Sequence, residues 1–165
     1  MELARAGGPQ AALAARRAAI LAERTDPALT REALHLAARL DPLDPAPRLA
    51  LARVAAEQGD LEAAKAEATA VLNEAVDEAA RARAAFILGE MARVANQAER
   101  ARIFYETTLR IEEALLAADR ADPTAARWYA RARGRIAELD ATDSAFGPAP
   151  HGAEGSHAKL RAAAA

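Results

Sequence analysis

Ala55-Ala56-Glu57-Gln58-Gly59-Asp60-Leu61-Glu62-Ala63-Ala64 decides the fold. Gly59 can take the positive φ that ends one helix, and Asp60 can accept the free amides that begin the next. Ala/Leu/Arg/Glu stretches of helical composition flank the turn on both sides. The same punctuation returns at Thr25-Asp26-Pro27 upstream and Ala95-Asn96-Gln97 downstream, 34 residues from Thr25 to Gly59 and 37 from Gly59 to Asn96. A period in the thirties with one turn per period marks a stack of helical hairpins. Stacks of this kind generally bind other molecules rather than do chemistry.

Working outward, Pro9 suits the first turn of a helix reaching about Glu23, with Leu13, Ile20 and Leu21 as its expected apolar side. Thr25 or Asp26 caps a second helix, on which Leu29, Ala33, Leu36, Ala37 and Leu40 recur at helical spacing. Asp41-Pro42-Leu43-Asp44-Pro45 stops it, since prolines this dense cannot lie inside one helix. Further helices are expected over about 46–57, 61–73, 77–95, 99–118 and 123–139. Residues 1–8 read as a loose leader. After Asp140 the composition turns to Gly, Pro, Ser and Ala, so 141–165 is expected to be a disordered tail. The repeat domain is thus 9–140, with hairpins at about 9–42, 45–75 and 77–119 and a capping helix at 123–139.

Composition agrees with an all-α chain. Of 165 residues 52% are hydrophobic but only 4% aromatic, so alanine carries much of the apolar content, which favours closely packed helices over a bulky core. No stretch alternates long enough to read as a strand. A formal charge of −2 gives no field for nucleic acid over the whole domain. The absence of cysteine excludes disulfides and thiolate metal sites. Arg16 and Arg17 interrupt any signal-peptide core, and no apolar run approaches the roughly 20 residues that cross a bilayer. A cytoplasmic protein without membrane association is expected.

Laid over one another, the hairpins resemble tetratricopeptide repeats, whose pattern sets small residues and aromatics at fixed places and closes on proline. The third hairpin fits best, with Leu88-Gly89, Ala101 and Tyr105. The second keeps Leu51-Ala52, Gly59-Asp60 and Ala64, with Ala68 at the aromatic place. The first keeps Ala18, Leu34, Ala37 and Pro42, with Thr30 at the alanine place. Ala18, Ala52 and Gly89 are expected to let paired helices approach, while Leu34 and Tyr105 fill the space between repeats. Phe104-Tyr105-Glu106-Thr107-Thr108-Leu109, Asp122-Pro123 and Trp128 are similar to bacterial repeats with a lengthened second helix. The resemblance implies a right-handed α-solenoid of antiparallel hairpins whose first helices line a concave groove. The implied groove residues are Leu49, Arg53, Ala56, Glu57, Arg83, Phe86, Glu90 and Arg93, a mix suited to an extended peptide or partner helix. Phe86 is read either as an exposed anchor or as core. Chaperone-binding members clamp a C-terminal carboxylate at matching places; here Glu90 would repel one.

Other constellations yield less. Arg127, Arg131 and Arg135 lie four apart and share a helix face, either a stripe for polyanions or the solvated side of a capping helix. His35 has Arg39 at i+4 and no second ligand type, so no metal is expected. Carboxylate neighbours such as Glu112-Glu113 point apart on a helix. No phosphate loop or nucleophile elbow occurs, and neither an enzyme nor a cofactor is expected. Trp128 is expected to pack the last helix onto the repeat below. The leading expectation is a non-catalytic adaptor or assembly module that binds a protein or peptide. A self-associating scaffold is the alternative, and polyanion binding through the arginine stripe the third reading.

Overall fold

The computed structural model describes residues 9–23 and 25–145. Their regular structure is helical throughout: α1 (Pro9–Ala22), α2 (Pro27–Leu40), α3 (Ala46–Glu57), α4 (Leu61–Glu74), α5 (Glu78–Val94), α6 (Ala98–Ala118) and α7 (Pro123–Ala145).

The turns work as their residues dictate. The Asp26 carboxylate accepts the amides of Ala28 and Leu29 at 3.0 and 2.9 Å, opening α2. Asp60 accepts the Ala63 amide at 3.1 Å and Asp77 the Ala79 amide at 3.0 Å, opening α4 and α5. Asp122 does the same for α7, accepting from Thr124 and Ala125. Each carboxylate satisfies amides that the first helical turn leaves without partners. Two turns need the left-handed region: Gly59 takes φ 79° and Asn96 φ 55°. Asn96 is among the few residues with a side chain that enter this region at low cost.

Each helix packs on the next in the chain, and α3 also meets α5 while α5 meets α7. Small residues allow this. Ala52, Ala64, Ala68, Ala82, Ala84, Ala101 and Ala132 are fully buried, so neighbouring backbones approach closely. The packing is tight at Gly89, where a Cβ would lie 2.6 Å from Cε1 of the buried Tyr105. Phe86, Ala92, Ala101, Tyr105, Ala132 and Leu139 form one core cluster between α5, α6 and α7. Ala19, Ala33, Leu34, Leu51 and Val54 form another at the opposite end.

Three expectations need correction. Along α1 the buried face is Ala12, Ala15, Ala19 and Ala22, while Leu13, Ile20 and Leu21 are exposed, Leu21 by 81%. The inward face of α1 is thus built of alanines alone, and the larger apolar residues are turned out. Ala18 is exposed as well, because it lies off the Ala12, Ala15, Ala19 and Ala22 face, and Ala19 takes the inward place. On α2 the inward stripe is Thr30, Ala33, Leu34 and Ala37, leaving Leu29 and Leu36 partly in solvent. Thr30 is accommodated because its hydroxyl donates to the Asp26 carbonyl at 2.9 Å. Finally, α7 runs on to Ala145 rather than stopping near Leu139. Leu139 is buried, Asp140 pairs with Arg102 of α6 at 2.6 Å, and Thr142 donates back to Leu139 at 2.7 Å. These contacts hold the extra turns that composition alone assigned to the tail. The leader 1–8 and the remainder of the tail, 146–165, lie outside the described residues.

Candidate functional site

The contacts of α3 with α5 and of α5 with α7 leave a groove of about 580 Å³ along these three helices. From α3 it is lined by Ala46, Leu49, Ala50, Arg53, Ala56 and Glu57, and from α5 by Arg83, Phe86, Ile87, Glu90, Met91 and Val94. Leu61 closes one side, and Trp128 and Arg131 of α7 close the other. Spacings of three and four residues put each set on one helix face. Of the residues singled out from the sequence, Leu49, Arg53, Ala56, Glu57, Arg83, Phe86 and Glu90 come together here. Arg93 does not.

Phe86 is only 3% exposed, so it forms the floor of the groove rather than a projecting anchor. Its ring lies 5.5 Å from that of Tyr105 and 5.2 Å, edge on, from that of Trp128. Edge-to-face pairs of this kind align ring quadrupoles favourably. The Arg131 guanidinium covers both rings, 4.9 Å from the Phe86 centroid and 4.6 Å from that of Trp128. Trp128 therefore docks α7 onto α5 and also reaches the groove.

Glu90 is the centre of an ion network. Its carboxylate accepts the Tyr105 hydroxyl at 2.7 Å, Arg135 Nε at 2.7 Å, Arg135 Nη2 at 3.2 Å and Arg93 Nη2 at 3.1 Å. Arg135 also bonds both oxygens of Glu138. Burial pushes the Glu90 carboxyl up, but the hydrogen bonds from Tyr105, Arg135 and Arg93 outweigh it and hold the group below its ordinary value. Burial, and then the Glu90 carboxylate, push the Tyr105 phenol well above its ordinary value. Glu90 is thus held ionised and paired in place by Arg93 and Arg135.

At the other end Arg53 bonds Glu57 at 2.8 Å and also pairs with Glu23, tying α3 to the end of α1. Burial lowers the Arg53 pKa, and the two carboxylates more than offset it. Arg83 and Arg131 have no ion pair among the described residues. Along the face of Arg127, Arg131 and Arg135, Arg135 is held by Glu90 and Glu138 while Arg131 lies over the two aromatic rings.

Ile87, Met91 and Val94 were not legible as site residues, and Trp128 and Arg131, singled out for other reasons, were not placed in this groove. The i, i+3 spacing of Trp128 and Arg131 could signal a stacked pair, but nothing in the sequence aims them at Phe86. Among the described residues no group of three or more His, Asp or Glu side chains could hold a metal ion, and no helix is long and apolar enough to cross a membrane.

Comparison with protein-family models, curated proteins and solved structures found no match to this chain.

Proposed function

We propose that the groove along α3, α5 and α7 binds a protein or peptide segment, and that the chain is a non-catalytic adaptor or assembly module. The reading treats the hairpins as degenerate tetratricopeptide-like repeats forming a short right-handed solenoid capped by α7, with α3 and α5 on the concave side. The observation that carries it is the largely apolar groove floored by Phe86 and built jointly by three helices. A groove shaped by the fold itself need not be ordered on binding, so successive helices can add contacts at low entropic cost. Few groups in it can move protons, since Glu90 and Arg53 are committed to fixed ion pairs.

The test is selection from a random 12-residue displayed-peptide library on the full chain, with Val94→Glu/Ala56→Trp as counter-target. Both positions retain solvent exposure, so the double variant should keep its fold, checked by circular dichroism. Peptides that lose at least tenfold in affinity on the variant support the reading. Recovery of none that distinguish the two proteins removes it.

The exposed Leu13, Ile20 and Leu21 of α1 favour a second reading, self-association through the first helix of the stack. Light scattering over a wide concentration range separates the two, since the second requires a rising mass.

A further inference from the structure

The charges around the groove are not evenly compensated. Glu90 is matched by Arg93 and Arg135, and Arg135 also holds Glu138, so this network carries no net charge. Arg53 faces two carboxylates, Glu23 and Glu57, which leaves that end of the groove slightly negative. Arg83 and Arg131 line the same groove without an ion pair among the described residues. The buried Glu112 carboxyl attracts Arg83 but forms no ion pair with it. Arg131 lies over both Phe86 and Trp128 and lines the groove beside the apolar floor. A guanidinium has five N–H donors, and contact with aromatic rings leaves donors that a carboxylate can accept.

Resting on the peptide-binding reading above, we propose that the groove takes an apolar peptide segment carrying aspartate or glutamate side chains, with the carboxylates set against Arg83 and Arg131. A basic segment would meet two uncompensated guanidiniums at that end. A purely apolar one would cover them and leave buried donors without acceptors, which is costly. Specificity here is largely a matter of that mismatch.

The experiment uses the groove-dependent peptides from the same library. They should be enriched in Asp and Glu next to Leu, Ile or aromatic residues. Replacing their acids by Asn or Gln should weaken binding at least tenfold by fluorescence anisotropy, with a further loss as salt rises. Arg83→Gln/Arg131→Gln should cause the same loss and make the binder indifferent to the Asp/Glu replacement; Arg131→Gln alone serves if the double variant does not fold. Groove-dependent peptides that are neutral or basic, or whose affinity ignores the arginine changes, overturn the acidic preference and leave the groove reading standing. Absence of any groove-dependent peptide overturns both. A rising mass with protein concentration that Val94→Glu/Ala56→Trp abolishes would place a second copy in the groove and overturn the proposal.

Discussion

Glu90 and Arg135, 45 residues apart in sequence, meet through two hydrogen bonds, Nε to Oε1 at 2.7 Å and Nη2 to Oε2 at 3.2 Å. The pair fastens α7 to α5 beside the Phe86–Trp128 contact, and Tyr105 ties α6 into the same carboxylate. Removing the acid leaves the fully buried Tyr105 side chain without its acceptor. Glu90→Ala should therefore cost about 2 kcal/mol in urea unfolding, since a hydrogen bond to a charged group contributes roughly 1.5–3. Arg135→Ala should cost less, because Arg93 and Tyr105 still hold Glu90. The double mutant should be more stable than the sum of the singles predicts. Strict additivity would mean that the pair is incidental.

Acid should weaken the same network. The Glu90 pKa is lower in the fold than in the unfolded chain. Its contribution is therefore present above the ordinary carboxyl value and disappears as pH falls through the folded one. Wild type should lose stability below about pH 4.5 more steeply than Glu90→Gln.

Glu112 behaves in the opposite sense. It is 1% exposed, its Oε1 has no hydrogen-bond partner, and burial pushes its pKa up to about 7. Arg83 draws the value down, while Asp122 and Asp77 add to the rise. The folded state then holds a proton that the unfolded state releases, so stability falls as pH rises from about 4.5 to 7 and is level beyond. The effect should be roughly 1–3 kcal/mol. Glu112→Gln should flatten this slope in chemical denaturation at pH 5, 6, 7 and 8. An unchanged slope would assign it to another group.

Gly89→Ala would normally gain about 1 kcal/mol of helix propensity. Here the methyl would sit 2.6 Å from the Tyr105 ring, which is fully buried and cannot swing away. Overpacking should win, with a net loss of about 1–2 kcal/mol and a fall in Tm. Adding Tyr105→Leu should make Gly89→Ala harmless.

Phe86→Ala cannot serve as a clean binding mutant. The residue lies under Arg131 and against two rings, so its truncation should cost about 3–5 kcal/mol, a large share of a domain's stability. Thermal melts should show the loss directly. Leu21→Lys, by contrast, should change stability by no more than about 0.5 kcal/mol, because α1 turns that side chain outward.

The local signals were strong enough to fix the helices. Gly59, Asn96 and the carboxylates of Asp26, Asp60 and Asp77 act within a few residues of themselves, so turn and cap chemistry could be read in one dimension. Face assignment held at Ala52, Ala64, Ala68 and Gly89, but not at Ala18, which is exposed. It failed in α1, where the large apolar residues were expected to point inward but the buried face is Ala12, Ala15, Ala19 and Ala22. The site divides the same way. Residues of α3 and α5 share a groove because helical spacing aligns them on their own helices. Trp128, Arg131 and Arg135 join them only because α7 docks across α5. That docking also decides which charges are paired: Glu90 by a residue 45 positions away, while Arg83 and Arg131 have no ion pair among the described residues. Sequence determined the helices, the turns between them and the close approach at Gly89, because each depends on the size or hydrogen bonding of nearby residues. The last turns of α7 depend instead on contacts such as Asp140 with Arg102. Burial of Phe86, pairing of Glu90 and the charge left in the groove were decided by tertiary structure, because each depends on partners that only the packing of distant helices brings within contact.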